Sequence, residues 1–213
     1  MQRIPRFTAC LLLGLGYSLA AEPAAPARHS LWSLEGKHNT IYLLGSVHFL
    51  SPAEKLPAAI DAAYEDAEAL VMEIDMDDLD PLEMQKVALE LGVLPAGETL
   101  QKHLGDDAYA TVAQKAREIG IEPAMLDRFR PWFAALTLVQ LHLMKMGLDP
   151  NSGVEQRLAV RAASDGKQIE GLESLREQLG ILAALPDAQQ REFLMYSVED
   201  TERATREIDT MIK

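Results

Sequence analysis

Four stretches of this sequence place ionisable side chains where they can do chemistry. The first is Gly45-Ser46-Val47-His48, which follows the run TIYLL and so stands at the C-terminal end of a strand. A glycine there permits close backbone approach, and an imidazole at a strand end can serve as general base or metal ligand. The second is Glu73 in ALVMEID, because a carboxylate inside an apolar run is costly to bury unless it is paired or bound to a metal. Asp75 shares the strand face of Glu73 and lies nearer the loop. The third is Glu155, just after Gly153 at a helix start, and the fourth is IEGLE, where Glu170 and Glu173 bracket another strand end. Brought to one edge, these groups have the makings of acid–base hydrolysis or of a divalent-metal site. Each also fits a structural role: His48 as a hydrogen-bonded strand-end residue, Glu73 in a buried ion pair with Arg128 or Arg130, Glu155 as complement to a helix dipole, Glu173 as an acid beside the helix starting at Ser174. Arg128 and Arg130 can equally orient a carboxylate or an oxyanion.

The elements that must position these groups follow from local pattern. LWSLEG (31–36) and NTIYLLGSVH (39–48) flank a polar turn and predict a β-hairpin. Leu56, Ile60, Ala63, Tyr64 and Ala67 fall at helical spacing, giving a helix over 55–68 that feeds a strand over 69–75. Strand 39–45, helix 55–68 and strand 69–75 predict a β-α-β unit with a parallel pair, which would bring Glu73 and His48 to one edge. A large helical insertion comes next, with apolar stripes at Met84, Val87, Ala88, Leu91, then at Tyr109, Val112, Ala113, Ala116, Ile119, then at Trp132, Leu136, Val139, Leu143, Met146. Gly147 is placed to end the last of these. A helix over 154–163, a strand over 167–173, a helix from Ser174 and a final helix from Pro186, with Leu194, Val198, Thr201, Thr205, Ile208 and Ile212 in its stripe, complete the reading. The fold class is α/β, with α+β as the variant: a mixed sheet with an N-terminal hairpin.

Composition narrows the function. Residues 1–20 carry Arg3 and Arg6, an apolar stretch from Phe7 to Leu19 and small residues at Ser18 and Ala20, the three parts of a signal peptide cleaved after Ala20. Residues 21–30, AEPAAPARHS, read as a flexible lead-in, and 31–213 as a single domain. Without Arg3 and Arg6 the chain has 18 basic against 33 acidic residues, a net charge of -15, which repels a phosphate backbone and makes nucleic acid an unsuitable partner. Cys10, the one cysteine, lies inside the apolar stretch, so the cleaved chain has neither disulfides nor thiolate ligands and any metal must use His, Asp or Glu. No stretch after cleavage is long and apolar enough to span a membrane. An acidic exported protein suits the periplasm, with secretion as the other destination. His29, His38, His103 and His142 form no metal-ligand pairing and read as surface or linker residues, and no G-x-S-x-G elbow, phosphate-binding glycine loop or dinucleotide fingerprint occurs.

Taken together, LWSLEGKHNTIYLLGSVHFL and the following ALVMEID resemble the start of the TraB/GumN family, relatives of the Tiki-type metalloproteases. The resemblance continues through RFRPW (128–132), SGVEQRL (152–158) and GKQIEGLESLREQL (166–179). It implies an αβ core with a first Gly-x-x-His, matched by Gly45 to His48, an acid on the next strand, matched by Glu73, and a second Gly-x-x-His near the C-terminal end. It makes Glu173 a further catalytic candidate and puts Glu155 at the Gly-Val-acid position as a metal ligand with His48 and Glu73. The implied activity is metal-dependent hydrolysis of a peptide or other acyl bond, with Mn, Co or Zn lowering the pKa of a water and Glu73 either ligating or taking the proton. No second Gly-x-x-His occurs in these 213 residues, so the expectation is a C-terminally truncated copy: the hydrolase activity is implied for the complete form, and this chain need not have it. A non-catalytic binding or accessory module of the cell envelope is the alternative, and a homodimer covering an open sheet edge accompanies either reading.

Overall fold

The computed structural model describes residues 30–75 and 80–199. The segments expected as signal peptide and lead-in, up to residue 29, and the expected stripe from Thr201 to Ile212 lie outside the described residues. The hairpin forms as the pattern predicts: β1 (Leu31–Glu35) and β2 (Thr40–Leu44) pair antiparallel, Trp32 opposite Leu43 and Leu34 opposite Ile41. The Gly36 N–H donates to the Asn39 carbonyl at 2.7 Å and closes the turn. Helix α1 (Ala58–Asp66) starts directly after Pro57, where a missing N–H costs nothing, and buries Ile60, Ala63 and Tyr64. It leads into β3 (Ala69–Ile74).

The partner of β3 differs from the expected one. Among the described residues, β3 hydrogen-bonds not to β2 but to β4 (Gln168–Glu173), in parallel, with Leu70 opposite Ile169, Met72 opposite Gly171 and Ile74 opposite Glu173. One mixed sheet is thus replaced by two small sheets, an antiparallel hairpin and a parallel pair, and the chain remains mixed α/β. Gly171 supplies a reason for this pairing: a Cβ there would stand 2.5 Å from the Asp75 backbone nitrogen, so the strands approach closely only around a glycine.

Between β3 and β4 runs the helical insertion: α2 (Pro81–Gly92), α3 (Leu100–Leu104), α4 (Asp106–Ile119), α5 (Pro131–Lys145) and α6 (Val154–Asp165), with short 3-10 turns at Pro123–Leu126 and Pro150–Ser152. Helices α7 (Leu175–Ala183) and α8 (Asp187–Glu199) follow β4. Local chemistry sets the ends. Asp80 accepts from the Leu82 N–H to cap α2, and Ser174 and Glu177 form a reciprocal capping box at α7. Gly147, at φ 86°, follows α5, and its N–H and that of Leu148 donate to the Met144 and Leu143 carbonyls, a Schellman ending.

Two clusters of buried side chains result. One unites α3, α4, α5 and α8 through Leu100, Leu104, Val112, Leu138 and Leu194; the other packs Leu50, Ile60, Met72, Leu158 and Ile169 beneath the parallel pair. The α4 stripe lies inward as expected. On α5, Trp132 and Leu143 are buried, but Leu136 and Val139 are only partly so and Met146 is exposed, while Ala134, Ala135 and Leu138 join the core that holds Leu194 and Val198 of α8. That helix is apolar nearly all round, so period alone could not pick its inner face; the small side chains allow α8 to approach. On α2 only Val87 of the expected stripe is buried. His103 and His142 are half-buried rather than on the surface, and burial, with the charges of Lys115 and Lys145, pushes the His142 imidazole below its ordinary range. None of the described helices is long and apolar enough to cross a membrane.

Candidate functional site

The residues after β2 leave the hairpin and run against the approach to α6. The Leu50 and Asp149 backbones form an antiparallel bridge, and the Val154 N–H donates to the Val47 carbonyl at 2.9 Å. This docking requires Gly153, because a Cβ there would stand 2.3 Å from the His48 carbonyl oxygen. Arg157, one turn into α6, donates to the carbonyls of Glu54 and Ser51 and holds the next loop in place.

The docking brings His48 to Glu155, the second residue of α6. Nδ1 of His48 lies 3.1 Å from Oε1 of Glu155; the imidazole side chain is 70% exposed and the carboxylate 24%. Hydrogen bonding to Glu155 is the main reason the His48 pKa lies above its ordinary value; partial burial opposes the shift, and the charges of Glu155 and Glu73 add to it. A carboxylate on one ring nitrogen fixes the tautomer and leaves Nε2 to exchange a proton.

Glu73, near the end of β3, reaches the same cavity of about 250 Å³, whose wall also includes Met72, Ile74, Asn151, Gln156 and Gln178. The sequence predicts Glu73 as a buried carboxylate, but it is exposed, on the open side of a strand whose Met72 is buried, and its partner among the described residues is neither Arg128 nor Arg130. Gln178 Nε2 of α7 donates to its Oε2 at 3.0 Å, whereas Arg128 donates to the Leu94 carbonyl. Glu173 and Asp75 line a separate groove beyond Ile74, and Glu170, exposed, accepts from Gln168. Of the candidates, then, His48, Glu155 and Glu73 converge and Glu173 does not.

The parts that sequence reasoning missed are Gln178, Asn151, Gln156 and the docking role of Gly153. Gln178 had a signal: the S-x-x-E box at Ser174 sets the start of α7 and places Gln178 one turn in. Among the described residues no three His, Cys, Asp or Glu side chains are grouped to hold a metal, so the chain brings two close donors, His48 and Glu155, where a catalytic zinc site uses three protein ligands.

A mixed α/β protein with an imidazole–carboxylate pair and an opposing carboxylate at the C-terminal ends of its strands is the class that fold and site define. The model of the TraB/PrgY/gumN family matches residues 30–213, and the chain belongs to that family. Among curated proteins it is similar to "Uncharacterized protein YbaP" of Escherichia coli (strain K12), at 26% identity over 173 residues, which cover 74% of this chain and 62% of that protein. The protein of the same name from Shigella flexneri is 26% identical over 170 residues, covering 77% of this chain and 61% of the relative. The chain therefore spans somewhat over three fifths of the length of these relatives. No solved structure matches it.

Proposed function

We propose that this protein is an exported, periplasmic hydrolase of peptide or other acyl bonds, with His48, Glu155 and Glu73 as its working groups. The observation that carries the reading is their convergence, from three stretches far apart in sequence, on one cavity. In this mechanism Glu155 holds the His48 imidazole through Nδ1, and Nε2 takes the proton of a water that attacks the acyl carbon. Glu73, steadied by Gln178, is the second carboxylate, placed to take that proton from the imidazolium and pass it to the leaving group as the acyl bond breaks. Glu173 lines the neighbouring groove and not the His48 cavity, and in this reading it serves substrate binding.

The divalent ion that the family resemblance implies, Mn, Co or Zn, fits the donor set only in part, with His48 and Glu155 as its ligands from this chain. No step above runs through it. The test is hydrolysis of a panel of peptides and esters by residues 21–213, together with metal analysis, for the natural sequence, His48→Ala and Glu73→Gln. Each substitution is expected to lower the rate by about 10²-fold or more, and hydrolysis that persists undiminished in His48→Ala overturns the reading. Equal, near-zero metal in all three removes the ion from it. Sequencing the N-terminus of protein recovered from the periplasm tests export, with Ala21 the expected first residue.

The alternative, a non-catalytic cell-envelope binding module, draws on the two-donor set and on the exposure of His48. Peptide binding without any cleavage would favour it. A homodimer remains part of either proposal, and sedimentation at micromolar concentration that gives only monomer removes it.

A further inference from the structure

The groove on the far side of Ile74, of about 710 Å³, takes no part in the proton transfers above. Its floor and walls are apolar where Ile74, Met84, Leu172 and Leu175 line it, and Leu172 is 76% exposed, an unusual state for a leucine within a strand. Its polar lining is one-sided. Asp75, Asp80, Glu83, Glu173 and Glu177 contribute carboxylates, and the one cationic residue among its described lining, Arg176, is held 2.6 Å from Glu90, which does not line the groove. Asp80 and Glu177 are occupied in capping α2 and α7, and Glu83 meets Lys86 at 3.5 Å, whereas the Glu173 carboxylate has no side-chain hydrogen bond or ion pair with the described residues. Apolar walls with an excess of negative charge complement a chain that alternates apolar and cationic side chains.

Ile74 is a wall of both the groove and the His48 cavity, and α7 lines both, through Gln178 on one side and Leu175 on the other. We infer that the groove binds a lysine- or arginine-bearing stretch of an extended peptide that runs on across Ile74 into the His48–Glu73 cavity. The inference rests on the hydrolytic reading only for where the cleaved bond lies; the charge preference of the groove is independent of it.

The experiment uses two fluorescein-labelled heptapeptides, one alternating leucine with lysine and one alternating leucine with glutamate, each measured for binding by anisotropy and for cleavage by mass spectrometry. The lysine peptide is expected to bind about 10-fold or more tightly than the glutamate peptide, and to lose most of that advantage at high salt. Glu173→Gln combined with Glu83→Gln is expected to weaken it about 3- to 10-fold, while Glu35→Gln combined with Glu68→Gln, which removes the same charge away from the groove, leaves it unchanged. Equal weakening by the two pairs means attraction to net charge alone and overturns the inference, as does equal affinity for the two peptides. Cleavage of both peptides at equal rate without a binding preference overturns the groove and leaves the hydrolase standing. A binding preference lost in the Glu173/Glu83 variant, with no cleavage of either peptide, keeps the groove and overturns the hydrolase.

Discussion

The helical insertion and the strand-bearing part of this molecule close their interiors to different degrees. Around α5 the core is sealed: Leu100 and Leu194 are wholly buried and Leu138 is 1% exposed. In the strand-bearing part Met72 and Ile169 keep 8% and 9%, and the hairpin face of Trp32, Leu34, Ile41 and Leu43 stands more than half open. A helix satisfies its backbone within itself, so a few helices with good caps can shut a core; a strand needs neighbours on its edges and a layer on its face. The candidate site lies where the packing is looser, at the ends of strands, and so has room for a ligand.

The largest expected effect falls in the sealed region. Leu138→Ala should lower stability by about 2–5 kcal/mol, since α8 can only partly follow the retreating side chain. Met72→Ala should cost less in the same urea titration, and an equal cost would erase the difference between the two regions. Gly153→Ala comes next, because its Cβ must displace the His48 carbonyl: a loss of about 1–3 kcal/mol is expected, along with loss of the His48–Glu155 contact, seen as a change in the His48 ring resonances. His48→Ala and Glu73→Gln should each stay within about 0.5 kcal/mol of the parent, as expected for exposed groups, so that any loss of activity is separable from unfolding.

The smallest effect is a titration. Glu155→Gln removes the main cause of the raised His48 pKa, so the midpoint followed by NMR should fall toward 6.5. Because the folded value is the higher one, the pair stabilises the fold fully below pH 6.5, and that contribution fades as pH rises through the raised value. At 70% exposure of the imidazole it is a small term. If neutral His48 is the base, the acidic limb of the rate profile should move to lower pH in Glu155→Gln. An unmoved limb would assign that limb to another group.

Much of the chain could be read without its fold. The hairpin, the start of α5 at Pro131 and its end at Gly147 follow from backbone rules acting over a few residues. The inner faces of α2 and α5 did not, because α5 is apolar nearly all round and α2 packs mainly against α7, a partner its sequence does not name. Of the site, the apolar setting of Glu73 predicts burial; the strand is apolar, yet Glu73 is exposed on it.

The sequence by itself determined most of the segments that become helix or strand, the five-residue α3 excepted because it is too short for a period to show, where most of them stop, and which side chains have titratable groups at strand ends, because each of these is settled by local hydrogen bonding, dihedral preference and periodicity. Only the tertiary structure decided that β3 pairs with β4, that Glu155 is the acid meeting His48, and that Glu173 belongs to a different groove. Those choices depend on backbones far apart in sequence coming close at Gly171 and Gly153, and a glycine shows that close approach is permitted without showing which strand or loop will make it.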